Sequence, residues 1–126
     1  MIAIQIIIVL ALIEYLVLAF NVGRARVKYN IKAPAITGHP IFERHFRVHQ
    51  NTLEQLIVFI PALVIFAHHA NTRLAIILGI LFLIARPVYA IGYVKNPEQR
   101  AFGAIATGVV NAILLAGGLI ALLMVY

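Results

Sequence analysis

The 126-residue chain contains no cysteine and no tryptophan, and only four of its residues, all glutamates, are acidic. Without cysteine there is no disulfide, no thiolate metal ligand and no cysteine nucleophile, so any sulfur used in chemistry must arrive with a substrate. Charge of either sign is scarce: 11% of residues are charged, against roughly 25% in an ordinary soluble domain. A soluble chain of this length could not keep 63% hydrophobic residues out of water, whereas lipid solvates the excess. The mean hydropathy of +1.02 agrees with a membrane protein. The net charge of +6 and pI near 10.2 could suggest nucleic acid, but basic residues between membrane spans are more simply topology signals. No nucleic-acid partner is expected.

The apolar residues are grouped into four runs. Ile2 to Val22, interrupted only by Gln5, Glu14 and Asn21, is long enough to cross about 30 Å of hydrocarbon as a helix. It lacks the basic leader and small-residue cleavage site of a signal peptide and is expected to remain in the mature protein. Gly23 to Pro40 carries Arg24, Arg26, Lys28, Lys32, Pro34 and Gly38 and is expected to be a loop. The second span is expected over residues 41–68, polar in its first half and apolar from Leu56, with a kink at Pro61. The third covers 74–93, with a second kink at Pro87, and the fourth covers 101–126. Ala104, Gly108, Ala112 and Ala116, four residues apart, would let a neighbouring helix approach the fourth span closely. The expected fold is therefore all-α: one four-helix transmembrane bundle occupying residues 1–126. Eight basic residues lie in or beside loops one and three, and only Arg73 lies in loop two. The positive-inside rule then places loops one and three in the cytoplasm and both termini on the opposite side.

Polar groups carried towards lipid mark candidate sites, because an ionised side chain at the centre of a membrane helix costs roughly 2.5 to 3.5 kcal/mol on insertion scales. The densest such run is Glu43 to Glu54. At about 100° per residue, Arg47, Asn51 and Glu54 share a stripe about 60° wide on one helix face. Arg86, Tyr89 and Tyr93 form an equally narrow stripe on the third span, extended by Arg100 if the helix continues past Pro97. Two such faces at one membrane depth make a pocket for a small ligand bearing carboxylates and a free amine. Arginines pair with carboxylates, Glu54 receives an ammonium, and Asn51 both donates and accepts. An alternative is that Arg47 and Glu54 form an intrahelical ion pair and the tyrosines anchor the interface. His45 and His49 lie one turn apart but have no clear third ligand, so no metal site is expected.

Two motifs carry a resemblance. Phe-Glu-Arg-x-x-Arg-x-His-x-Asn-x-x-Glu, from Phe42 to Glu54, and Ala-Arg-x-x-Tyr-x-x-Gly-Tyr, from Ala85 to Tyr93, resemble the signature of the membrane-associated proteins in eicosanoid and glutathione metabolism. Arg100 follows seven residues after the second motif, in register with that family. The resemblance implies a four-helix subunit, a homotrimer, and glutathione bound as co-substrate between neighbouring subunits near the cytoplasmic face. Carried over by position, Arg26, Arg47, Asn51, Glu54, Tyr89 and Tyr93 would bind glutathione, with His49, on the signature histidine, beside them. Arg100 would be catalytic, activating the thiol for attack on a hydrophobic electrophile or lipid substrate, with lipid hydroperoxide reduction as a companion activity. A guanidinium suits that role, since a free thiol with a pKa near 8.5 is mostly protonated at neutral pH.

The chain also departs from the family pattern. Gln55 stands where a leukotriene-forming member has tyrosine, Ile57 and Val58 stand where many members have proline, and Ala101 replaces a serine assigned a catalytic part in a prostaglandin-forming member. Two other functions compete with the transferase: a non-catalytic lipid-binding scaffold of the same family, and a proton-coupled small-molecule exporter using Glu14. Within the family reading, Glu14 is expected in the bundle interior, paired with Arg86.

Overall fold

A computed structural model describes all residues, 1–126, and consists of four long helices joined by short connections. These are α1 (Ile2–Tyr29), α2 (Pro40–His69), α3 (Thr72–Lys95) and α4 (Ala101–Val125), with a short 3-10 helix, Pro97–Arg100, between the last two. All four are long and apolar enough to cross a membrane. The expected all-α, four-span architecture is the one observed, with α2, α3 and α4 ending within two residues of the expected limits.

The first helix overturns one expectation. It continues seven residues beyond Val22, through the stretch assigned to a loop. Arginine, alanine and lysine are good helix formers, and the single Gly23 is not enough to stop them. Basic Arg26 and Lys28 in the last turn complement the partial negative charge of the helix end. The helix stops instead at Asn30, whose left-handed backbone (φ 56°, ψ 46°) closes it, with the Ile31 N–H bonded to the Arg26 carbonyl at 2.9 Å. The true connection is residues 30–39. Its Gly38 has φ 141° and donates its N–H to Glu43 Oε2 at 3.1 Å, tying the loop to the start of α2.

The other boundaries have local causes. His39 caps α2, its Nδ1 accepting from the Ile41 N–H at 3.1 Å, and Pro40 occupies the first helical position, where no donor is missed. Asn71 caps α3 through its Oδ1 and the Leu74 N–H at 2.9 Å. Pro61 and Pro87 lie inside continuous helices. Asn96 is extended (φ −157°, ψ 114°) and ends α3 before Pro97, so Arg100 does not ride on that helix.

Only 28 of 126 residues are buried, and large apolar side chains cover the outer faces of every long helix, as lipid contact requires. The largest of three buried apolar clusters joins all four helices, and in it Phe59 of α2 and Phe82 of α3 stack with centroids 3.7 Å apart. The small residues Ala104, Gly108, Ala112 and Ala116 do not serve the packing inside the bundle: all four are exposed. The close approach of α4 comes instead from Gly103, where an added Cβ would lie 2.5 Å from Tyr89 Cβ and 2.6 Å from its Cα.

Gly103→Ala is therefore expected to force α3 and α4 apart and to cost about 1–3 kcal/mol. Gly108→Ala, where a Cβ meets nothing within 4 Å, should be neutral or mildly stabilising through helix propensity. Thermal denaturation of the two variants side by side checks the contrast; equal melting points would contradict it.

Candidate functional site

The two polar stripes do meet. Arg47, Asn51 and Glu54 of α2, Tyr89 and Tyr93 of α3, and Arg100 of the 3-10 helix line one cavity of about 270 Å³. Gln50 joins them, a residue outside the sequence-predicted set whose position about 60° from Arg47 on the helix wheel is a usable signal. Arg47, Glu54 and Arg100 are exposed, Asn51 and Tyr93 are half-buried, and Tyr89 is buried. Arg100 reaches the cavity by a route the sequence did not suggest. The chain breaks at Asn96, whose Oδ1 accepts from the Glu98 N–H at 3.1 Å, and one 3-10 turn then carries Arg100 back towards the tyrosines. Its Nη1 donates to the Pro97 carbonyl at 2.9 Å.

Arg86 has the helical phase of Tyr89 and Tyr93 but lies beneath the cavity, only 2% exposed. Its Nη2 donates to Asn51 Oδ1 at 2.9 Å and to Thr52 Oγ1 at 2.8 Å, and its Nη1 donates to Thr107 Oγ1 at 3.2 Å. Its guanidinium carbon is 4.3 Å from the Tyr89 ring centroid, a cation–π contact. Both threonine hydroxyls donate to carbonyls one turn back, Thr52 to Val48 and Thr107 to Gly103, each at 2.8 Å, and so turn lone pairs towards the cation. No such role for Thr52 and Thr107 is visible in sequence, because it depends on three helices meeting.

The network fixes the chemistry Asn51 offers. A guanidinium has donors only, so the amide oxygen of Asn51 must face Arg86, leaving its Nδ2 hydrogens for the cavity. Asn51 is thus a donor towards a ligand, alongside Arg47 and Arg100, while Glu54 supplies the one carboxylate. Such a cavity is complementary to carboxylates, with a single place for an ammonium. The intrahelical Arg47–Glu54 ion pair that the sequence left open does not form: the two side chains share the cavity wall without bonding to each other.

Two expected neighbours, Arg26 and His49, lie elsewhere, as does Gln55, which departs from the family pattern. Arg26 donates to the Ala35 carbonyl at 2.7 Å and packs over the Phe42 ring at 4.9 Å. His49 stacks on Tyr15 of α1, with centroids 4.5 Å apart. It stands about 200° around α2 from Arg47, so one helix cannot present both to the same cavity. Gln55 accepts from Asn111 Nδ2 at 2.9 Å and spends its side chain joining α2 to α4. The expected pairing of Glu14 with Arg86 is also not made, since Arg86 bonds to neutral acceptors and Glu14 Oε1 has no partner. No group of three or more metal-ligating side chains is present.

The MAPEG family model matches residues 4–121. The chain belongs to the MAPEG family. Its relatives include an uncharacterized protein of Synechocystis, 46% identical over 114 residues, which cover 90% of this chain and 83% of that one. Microsomal glutathione S-transferase 2 of Mus musculus is 45% identical over 85 residues, or 68% of this chain and 58% of the relative. Leukotriene C4 synthase of Bos taurus is 30% identical over 82 residues, or 65% of this chain and 55% of the relative. The chain thus spans little more than half the length of these two named enzymes. Membership of the MAPEG family and four spanning helices together identify an integral membrane protein.

The Arg86 network makes a specific stability prediction. Thr107→Val leaves the buried Nη1 without an acceptor and should cost about 1–3 kcal/mol, whereas Thr107→Ser keeps the acceptor and should cost distinctly less. Denaturation of both variants in detergent tests this, and a loss in Thr107→Val no greater than that in Thr107→Ser would overturn the role of the hydroxyl as acceptor.

Proposed function

We propose that this protein is a glutathione-dependent membrane transferase that holds the glutathione thiol as thiolate and conjugates it to hydrophobic electrophiles. The observation that carries the proposal is the convergence of Arg47, Asn51, Glu54, Tyr89, Tyr93 and Arg100, from three separate segments, in one cavity. Glutathione has two carboxylates, one ammonium and one thiol, and the cavity offers Arg47 and Asn51 as donors to carboxylates and Glu54 as the carboxylate for the ammonium. Arg100 is the residue left for the thiol. A cation beside it lowers the thiol pKa by favouring the charged form, by about 1–3 units for a close pair. The thiolate then attacks the electrophilic carbon, forming the C–S bond as the leaving group departs or the epoxide opens. The same thiolate can reduce a lipid hydroperoxide, with a second glutathione closing the reaction as the disulfide.

The chain's relatives named as a microsomal glutathione S-transferase and a leukotriene C4 synthase support this reading. Arg26 and His49 do not reach the cavity of their own chain, and a glutathione-binding role for either requires a second copy of the chain, as in the homotrimer implied by the family resemblance. Loops one and three, with the cavity between them, are assigned to the cytoplasmic side by the distribution of basic residues.

The decisive measurement pairs conjugation of 1-chloro-2,4-dinitrobenzene with ultraviolet absorbance of bound thiolate. Arg100→Ala should lower kcat by about 10- to 1000-fold, the consequence of a thiol pKa raised by 1–3 units, while glutathione still protects the protein against heat. A variant as active as the parent would overturn the assigned mechanism. Asn51→Leu should instead raise the glutathione requirement, since it removes a binding donor and not the activating cation.

A further inference from the structure

A cavity of about 410 Å³, larger than the glutathione cavity, lies between the last turns of α1 and the first turns of α2. The two cavities share no lining residue. Asn21, Arg24 and Lys28 fall within about 60° of one another around α1, so one helix face presents them together, and α2 adds His45. Through Asn21 and His45 the cavity adjoins a mainly apolar groove between α1 and α3, which begins beside Lys95 and runs past Leu18 and Ile91 to Glu14 and Arg86. Cations are thus gathered at the membrane surface, and apolar side chains lie below them.

No group in the chain neutralises this charge. The four acidic residues all lie elsewhere: Glu43 accepts from the Gly38 N–H, Glu54 lines the glutathione cavity, Glu14 sits at the deep end of the groove, and Glu98 belongs to the 3-10 turn. Arg26, Arg44 and Arg100, at the same membrane surface, each donate to a main-chain carbonyl. The head groups of Arg24 and Lys28 instead lie over the rings of Phe20 and Tyr29, at 6.0 and 5.4 Å, and are free to bind an anion. Topology accounts for basic residues near this surface, but not for a concave wall that collects them without a carboxylate.

A ligand for this wall carries net negative charge, sits where α1 leaves the hydrocarbon, and has apolar surface beneath it. Below Arg24, on the same side of α1, Val17 and Phe20 are exposed to lipid. An anionic lipid head group meets all three conditions, and basic pockets between membrane helices recognise such heads. We propose that the cavity between α1 and α2 binds the head group of an anionic phospholipid, its phosphodiester held by Arg24 and Lys28 and its acyl chains remaining in the bilayer beside α1. A zwitterionic head suits the cavity less well, because its ammonium finds no carboxylate in the lining. Arg26, the α1 residue that a second copy would need, stands about 160° around the helix from both Arg24 and Lys28, so such an assembly does not require this face. The assignment uses no residue of the glutathione cavity and is independent of the transferase reading.

The test compares equilibrium binding of radiolabelled dioleoylphosphatidylglycerol and dioleoylphosphatidylcholine, which share acyl chains and phosphate, to the full chain in dodecyl maltoside. The anionic lipid should bind about 10-fold more tightly or better, as two close cationic contacts provide. Arg24→Gln/Lys28→Gln should remove that preference. Lys32→Gln/Arg73→Gln lowers the net charge equally outside the cavity and should keep it. All four side chains are exposed, and circular dichroism should show parental helicity in both double variants. Equal affinity of the parent chain for the two lipids would overturn the proposal. So would an equal loss in the two double variants, which would assign the preference to overall charge. Soluble glycerol phosphate should not displace the bound lipid at an equal concentration; displacement would assign the cavity to a free phosphate ester and overturn the lipid reading.

Discussion

A guanidinium sealed inside a lipid-embedded bundle must find acceptors on its neighbours, and Arg86 finds three of them on two other helices. Thr52 and Asn51 come from α2 and Thr107 from α4, so one α3 side chain fixes the relative depth and rotation of three helices. In a chain this apolar, van der Waals contact alone allows helices to slide and turn, because lipid is as good a neighbour as another leucine. Buried polar contacts are less forgiving. A shift that broke one of them would leave a charged group unpaired at low dielectric. The same network holds the Asn51 amide in one orientation, so that bundle assembly and ligand recognition share a single set of bonds.

Close packing serves the same end from the other side. Gly103 lets α4 lie directly against the Tyr89 backbone, which places Thr107, one turn later, within reach of Arg86. The connection from α3 to α4 is equally constrained. Arg44 donates to the Val94 carbonyl at 3.1 Å, tying the end of α3 to α2, and the Asn96 break with its 3-10 turn then redirects the chain. Arg100 therefore enters the cavity on a short rigid turn that precedes α4, beside tyrosines held by α3. Polar residues in this protein are few, and most of those inside the bundle either form the network or line a cavity.

The two cavity systems differ in character because α3 faces them with different residues. Towards α2 and α4 it presents Tyr89 and Tyr93 to a water-accessible cavity rich in donors. Towards α1 it presents Pro87, Ala90 and Ile91 to a mainly apolar groove. Arg86 lies between them: its Nη2 bonds to Asn51 in the wall of the first, and the residue lines the second.

Much of this was already determined by the sequence, where the cause is local. Four apolar runs of spanning length force four helices, because a backbone in lipid has to satisfy its own hydrogen bonds. Helical phase put Arg47, Asn51 and Glu54 on one face, and Tyr89 and Tyr93 on another, for the same reason: 3.6 residues per turn is a property of the backbone. Where local signals competed, the sequence misled. Basic residues and one glycine after Val22 resembled a loop, yet helix propensity carried α1 on to Asn30. What only the tertiary structure decided is which faces meet. The burial of Arg86 beneath the pocket depends on Thr52 and Thr107, residues 55 positions apart. The turning of His49 to Tyr15, the diversion of Gln55 to Asn111 and the separation of Glu14 from Arg86 depend likewise on packing between helices. Periodicity fixes where a side chain points around its own axis, but the partner at the other end of a hydrogen bond is set by how the helices pack.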